Sequence, residues 1–301
     1  MKWLTERNEA IGALVLVAFG YSILSVVSRW LSLGYEPFTQ VYLRLLGALL
    51  MAGILFRKKI RWQRIKNIPK SDYQPLLVMG VFGYGLMVYF VSLGALNTSL
   101  LKVSIIMAMV PFFSYVMGIF FLKDKFDIKV TLLAFLSLYG VSVLAGNSII
   151  PNISGFGKGE LFVLISAFLL ASYSVSRKLL STHLNNQEIT MVVMFLAFVT
   201  TLLLATVKGE KMELANLAIP LVFCGFILGS TLNIVCTFLE SFAFQRLEVV
   251  VGNQILLMEN LFSPVLGYFM YKEGVGMWQI LGAMIIIGSV YLNNQQSISE
   301  G

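Results

Sequence analysis

The sequence predicts an all-α integral membrane protein whose ten transmembrane helices form two inverted five-helix repeats around a central cavity. Three observations carry that expectation: the apolar character of the chain, ten apolar runs of crossing length, and two motifs that recur at nearly one spacing. The hydrophobic fraction is 58%, charged residues make up 12% and the mean hydropathy is +0.84, values that exclude a soluble domain of this size. A helix needs roughly 20 apolar residues to cross a bilayer. Such runs fall at Ala10–Trp30, Phe38–Phe56, Pro75–Leu96, Leu100–Leu122, Ile128–Gly146, Gly159–Leu180, Ile189–Val207, Ile219–Ala243, Val249–Tyr271 and Val275–Leu292. The connections are too short for a folded extramembrane domain, so function must reside inside the bundle.

The first run is long and lacks a small-residue cleavage site, so it is expected to stay as the first helix rather than act as a signal peptide. Val27-Ser28-Arg29-Trp30-Leu31 closes it, and Val175-Ser176-Arg177-Lys178-Leu179 closes the sixth run in the same way, at an offset of 148. The fourth run ends Phe121-Leu122-Lys123-Asp124 and the ninth Met270-Tyr271-Lys272-Glu273, at an offset of 149. Two echoes at one spacing indicate an internal duplication. Five crossings per copy is an odd number, so the second copy must enter the membrane upside down. This places a first repeat at 1–147, a periplasmic linker at 148–158 around Pro151 and Ser154-Gly155-Phe156-Gly157, a second repeat at 159–293 and a cytoplasmic tail at 294–301.

Orientation follows from the cations. Fifteen, from Lys2 and Arg7 through the Arg57–Lys70 loop to Arg177, Lys178 and Arg246, fall on the N-terminal side; six (Arg29, Lys102, Lys158, Lys208, Lys211 and Lys272) fall on the other. The positive-inside rule then puts both termini in the cytoplasm, which accounts for the net charge of +7 without a nucleic-acid partner. The Arg57–Lys70 loop also carries Ile60, Trp62, Ile65 and Ile68, the composition of a short interfacial helix lying on lipid headgroups. Cys224 and Cys236 share one helix about 18 Å apart at 1.5 Å per residue, beyond disulfide reach. His183, the only histidine, lies past the sixth run as a loop residue, and nothing suggests a metal or cofactor site.

The richest stretch is Val249–Glu273, where Asn253, Gln254, Glu259, Asn260 and Pro264 interrupt an apolar run. An ionised acid near the bilayer centre costs roughly 2.5–3.5 kcal/mol on insertion scales, so Glu259 must face protein or water. Pro264 removes a helical donor and is expected to bend the helix just beyond Glu259. Residues three, four and seven apart share a helix face, and on that basis six helices carry a polar stripe. Ser104, Pro111 and Tyr115 belong to helix four; Asn253 and Asn260 answer them on helix nine. Asn233, Thr237 and Glu240 belong to helix eight, and an offset of 148 maps the last two onto Tyr89 and Ser92 of helix three. Tyr21 and Ser25 on helix one answer Tyr173 on helix six.

For a lone serine or glycine, ordinary helix contact in a membrane is a sufficient explanation. An amide or acid in hydrocarbon needs several partners at once, so Asn233, Asn253, Asn260 and Glu259 point to a wet cavity. Glu240 is a second acid at the same level of interest, although its place near the cytoplasmic end of helix eight also allows it to reach the interface. Arg44 is a buried cation that needs an anion, carbonyls or water. A structural tie to a loop or carboxylate is the favoured reading, with substrate carboxylate recognition as the alternative.

The ten-helix, two-copy plan, Arg44 within Tyr42-Leu43-Arg44-Leu45-Leu46-Gly47-Ala48, Pro111 followed by Asp124, and Glu259 followed by Glu273 resemble the EamA-type members of the drug/metabolite transporter superfamily. The likeness spans nearly the whole chain. The second copy commonly shows Glu-Pro there, whereas this chain has Glu259-Asn260 and a proline four residues on. The resemblance implies a bacterial inner-membrane carrier of small metabolites, often an exporter of amino acids, amines or toxic analogues. Relatives that carry sugar phosphates or nucleotide sugars use basic cavity residues, and only Arg44 and Lys102 could serve so here. The smaller four-helix multidrug relatives use a glutamate in the first helix, which is missing between Ala10 and Trp30. The leading expectation is secondary active transport by alternating access, with Glu259, or Glu240, as a proton-coupling group. An importer on the same fold is the alternative. A membrane-embedded enzyme lacks a clustered acid–histidine site, and a channel lacks a continuous polar lining. Small-molecule substrate and membrane lipids are the expected partners, and a homo-oligomer is left open.

Overall fold

The computed structural model describes residues 2–98, 100–146, 148–150, 157–271 and 276–299; residues 151–156 of the predicted linker lie outside them. The described chain is all helical. Helix one is Lys2–Leu31, helix two Pro37–Leu55, helix three Lys70–Asn97, helix five Ile128–Gly146, helix six Lys158–Leu179, helix seven Asn186–Lys208 and helix eight Pro220–Phe244. Helix four comes in two pieces, Leu100–Met107 and Val110–Met117, and helix nine in two more, Val249–Leu256 and Glu259–Tyr271. Helix ten runs Met277–Ser299, through most of the stretch expected to be a tail. Among the described residues nine segments are long and apolar enough to cross a membrane, and Met277–Asn293 is a shorter apolar tenth. The basic loop after helix two does form a short helix, Trp62–Lys66, with Trp62 exposed.

The helices pack in pairs that obey the duplication. Helix one lies on helix eight as helix three lies on helix six; helix two packs on eight as seven packs on three; helix four touches six as nine touches one. Helices two and seven, four and nine, and five and ten meet their own counterparts. The two copies are therefore interleaved. The five–ten seam shows why small residues sit there: a Cβ on Gly282 would stand 2.5 Å from the Leu144 amide nitrogen and 2.6 Å from the Gly140 carbonyl oxygen. Ser137 and Ser289 share a hydrogen bond of 2.7 Å across the same seam.

Loop carboxylates tie the ends of the bundle. Gly209, at φ 73°, ends helix seven in the left-handed region that glycine adopts without strain. The turn delivers Glu210 to the start of helix two, where its carboxylate accepts from the Thr39 amide at 2.6 Å and the Thr39 hydroxyl at 2.9 Å. Asn185 caps helix seven through the Glu188 amide at 2.9 Å, and the Glu188 carboxylate accepts from the Asn185 amide at 2.8 Å and the Arg61 amide at 2.9 Å. Asp72 accepts from the Ser181 hydroxyl at 2.6 Å. Glu160, at the start of helix six, accepts from Thr98 and Lys102, both at 2.6 Å. Lys102 is thus a clamp between helices four and six, not a cavity cation.

The helix breaks sharpen the repeat. Helix four is interrupted at Ala108 and Met109, helix nine at Leu257 and Met258, the same places under an offset of 149. Pro111 enters at the start of the second piece of helix four, where its missing N–H costs nothing. The bend expected just beyond Glu259 instead lies just before it. Proline is not its cause: the Leu257 and Met258 amides bond to Gln254 and Ile255 at 3.1 and 3.0 Å, a tightening to i→i−3 bonds that ends the first piece.

The glycine seam gives a test of this packing. Gly282→Ala should lower the thermal stability of the purified protein in detergent by about 1–3 kcal/mol, the usual cost of overpacking. Gly288→Ala, with open space around the added Cβ, should leave the melting temperature unchanged.

Candidate substrate cavity

Once the loop acids are assigned to helix ends, Glu240 and Glu259 stand apart as the two that line a void within the bundle. That void consists of two adjoining cavities of about 290 and 240 Å³ that share Tyr21, Met107, Leu170, Glu240 and Glu259. The larger adds Ser25, Ser28, Arg44, Tyr84, Tyr173 and Asn233. The smaller adds Ser104, Asn253 and Asn260 and lies against the interruption of helix nine. A separate cavity of about 640 Å³ between helices three, four and six is walled by Phe82, Met117, Phe121 and Phe168 and contains no ionisable side chain. Size alone would favour it, but its polar lining, Ser71, Gln74, Ser172 and Ser176, offers no charge to a charged ligand.

Several polar groups of the central void are held from a neighbouring helix. The Tyr21 hydroxyl donates to Glu240 Oε2 at 2.5 Å, joining helices one and eight. The Tyr84 hydroxyl donates to Asn233 Oδ1 at 2.7 Å, and those residues are 149 apart, so equivalent positions of the two copies meet across the repeat axis. Asn233 Nδ2 donates in turn to the Gly229 carbonyl at 2.9 Å. Asn260 Nδ2 donates to the Leu257 carbonyl at 3.1 Å, an oxygen that also accepts from the Asn260 amide at 3.0 Å. The Ser174 hydroxyl donates to Asn253 Oδ1 at 3.1 Å, while Asn253 Nδ2 is buried without an acceptor. The Tyr173 hydroxyl is likewise buried without a hydrogen-bond partner.

Among the predicted residues, Tyr21, Ser25, Ser104, Tyr173, Asn233, Asn253, Asn260, Glu240 and Glu259 line this void. Glu240 does not reach the surface; it is 3% exposed. Five others lie outside. Tyr89 stacks on Phe38 at 5.7 Å with the Lys208 ammonium 5.5 Å from its ring centre, and Ser92 lines neither cavity. The cause is the offset: 148 maps Thr237 and Glu240 onto Tyr89 and Ser92, whereas 149, the spacing of the Tyr84–Asn233 contact, maps them onto Val88 and Val91. Tyr84, Val88 and Val91 hold the wall instead, and an offset of 149 rather than 148 would have selected Tyr84. In helix four the break itself takes Pro111 and Tyr115 off the cavity face, which Val110 holds. Pro111 is buried in the helix start, and the Tyr115 hydroxyl exchanges hydrogen bonds with the Asp127 backbone. Thr237, one turn before Glu240, is 3% exposed and lines neither cavity.

Arg44 also departs from expectation. The sequence favours a structural tie with a loop or carboxylate, yet Arg44 forms no ion pair with a described carboxylate. Its Nη1 donates to the Ser28 hydroxyl at 3.3 Å, its Nε has no partner, and the side chain lines the larger cavity. Helix eight makes room for it: a Cβ on Gly229 would stand 2.5 Å from Arg44 Cδ. His183 rests on the Arg64 carbonyl at 3.2 Å in the loop after helix six, remote from the void.

Comparison with known proteins agrees with the duplicated architecture. The model of the EamA-like transporter family matches twice, over residues 8–146 and 157–295. The chain is 22% identical over 239 residues to a Bacillus subtilis (strain 168) protein named "Uncharacterized transporter YcxC", covering 77% of this chain and 76% of that one. A solved structure titled "Crystal structure of protein" superposes with a TM-score of 0.74 at 16% identity, covering 94% of this chain and 97% of the other.

Thiol labelling distinguishes wall from core. With Cys224 replaced by Ser, Ser25→Cys should react with a small hydrophilic methanethiosulfonate at least ten times faster than Thr237→Cys, read by mass spectrometry of the intact protein. Equal rates would place the water-accessible surface elsewhere.

Proposed function

Because the chain belongs to the EamA-like transporter family, we propose that it is a secondary active exporter of amino acids, amines or related small metabolites, coupled to protons and working by alternating access. The observation that carries this reading is the pair of acids, Glu240 and Glu259, facing one void at the interruption of helix nine. A carboxylate at that place can take a proton when the void is dry and release it when it wets, and can meet a cationic substrate group in between. Broken helices inside a bundle are where carriers place their ligands, because irregular backbone is tolerated there only against protein or water. The cavity volume of about 290 Å³ lies at the small end of ligand pockets, roughly 300–1,000 Å³, which suits a small metabolite. The excess of Lys and Arg on the N-terminal side supports cytoplasmic termini in a bacterial inner membrane.

Of the two acids, Glu259 is assigned the coupling role, since it is the first residue after the break and belongs to both cavities. Reconstituted Glu259→Gln protein should fold as wild type does by size-exclusion profile and melting temperature, and should lose the dependence of solute flux on an imposed pH gradient. Unchanged proton-driven flux in that variant would remove Glu259 from the mechanism. Comparison of intracellular and medium amino acids and amines in expressing cells against an empty vector tests direction, with accumulation in the medium as the expected result.

A further inference from the structure

The two copies carry opposite charges into the cavity, and each charge corresponds to a valine at the equivalent place in the other copy. Under the 149-residue offset that joins Tyr84 to Asn233, Arg44 corresponds to Val193, while Glu240 and Glu259 correspond to Val91 and Val110. A five-helix unit therefore folds with an apolar residue at each of these places. The charges are an addition to the fold, not a requirement of it. They also lie on opposite members of the repeat, the cation on helix two and the acids on helices eight and nine.

Arg44 is nine-tenths buried, with 9% of its surface exposed. A guanidinium has five N–H donors and no acceptor, and among the described residues only the Ser28 hydroxyl, at 3.3 Å, receives one. Tyr173, 2% exposed, lines the same cavity, and its hydroxyl has no partner among the described residues. Two side chains on one cavity wall thus carry a buried donor without an acceptor, Arg44 Nε and the Tyr173 hydroxyl, and buried donors of this kind are costly unless something accepts from them. A planar anion fits a guanidinium fork through two parallel hydrogen bonds. A phosphate would meet that fork as well, but its greater charge is disfavoured beside two carboxyl groups. A carboxylate on a molecule that also carries an ammonium group satisfies both ends.

Resting on the reading of this cavity as the transport site, we propose that Arg44 and Tyr173 bind the carboxylate of a small zwitterion, whose ammonium group lies towards Glu240 and Glu259. The substrate class is then α-amino acids and their close analogues, in preference to simple amines. The asymmetry of the repeat gives the ligand one orientation in the cavity.

The test uses the full-length protein in proteoliposomes, with counterflow of radiolabelled α-amino acids and, for each, the matching carboxamide and the decarboxylated amine. Wild type should favour the amino acid over both by at least tenfold. Arg44→Gln should lower the acid-to-amine uptake ratio at least tenfold, and Arg44→Lys should restore part of it, since a point charge remains without the fork. Tyr173→Phe keeps the Cβ packed on Gly83 and removes only the hydroxyl; it should reduce the same ratio about three- to tenfold, and serves should Arg44→Gln fail to fold. Equal transport of acid, amide and amine by wild type overturns the carboxylate assignment while leaving the carrier reading intact. An unchanged acid-to-amine ratio in both Arg44→Lys and Tyr173→Phe overturns it as well. Movement of none of these compounds by wild type defeats both readings.

Discussion

The interior of a bilayer supplies no hydrogen bonds, so a transmembrane helix can stop in mid-span only where its loose backbone groups meet protein or water. Helices four and nine both stop there, at Ala108–Met109 and Leu257–Met258. This constraint requires the other helices to form a shell around the breaks. It accounts for the concentration of amides and hydroxyls on the walls, Asn260 among them, whose side chain adds a second hydrogen bond to the Leu257 carbonyl. A break of this kind collects polar groups because nothing else in the hydrocarbon can satisfy them.

The architecture is legible in the sequence because length and hydropathy dominate in a membrane. Nearly every predicted run reappears within a few residues of its helix, and the duplication can be read from Ser28-Arg29 against Ser176-Arg177. The candidate site is legible in part. Asn233, Asn253, Asn260 and Glu259 stand out because each is too polar to lie among lipid tails without reason, and all four line the void. The failures have two sources. Tyr89 and Ser92 come from pairing the copies at 148, one residue short of the spacing that the Tyr84–Asn233 contact fixes. Pro111 and Tyr115 come from carrying a constant helical period through the break in helix four. A change of winding leaves composition untouched and rotates every residue beyond it.

Charge is harder still to read, since a buried acid and a capping acid look alike in a sequence. Glu160, Glu188, Glu210 and Asp72 are all occupied by backbone amides, hydroxyls or Lys102. Most of these partners lie in the other copy, beyond the reach of a reading that takes each helix separately. Arg44 shows the converse. A carboxylate tie is the economical assumption for a buried cation, and Ser28 at 3.3 Å is all that the described residues offer it. The partner that a guanidinium requires is thus a matter for whatever enters the cavity.

Interleaving of the copies bears on how such a cavity could open first to one side and then to the other. Rocking of the two halves as rigid bodies would have to part helix one from eight and helix three from six, along with the Tyr21–Glu240 bond that fastens the first of these pairs. Bending at the interruptions disturbs less, because the backbone hydrogen bonds there are already broken or shifted and no buried seam needs to separate. The outer piece of helix nine, beginning at Glu259, packs against helix one, and the corresponding piece of helix four packs against helix six. Swinging either piece changes what Glu259 faces while leaving Arg44 on its intact helix. One charged pole of the cavity would then stay fixed as the other moves, so occupancy by a molecule spanning both poles would be coupled directly to the conformation of the broken helix.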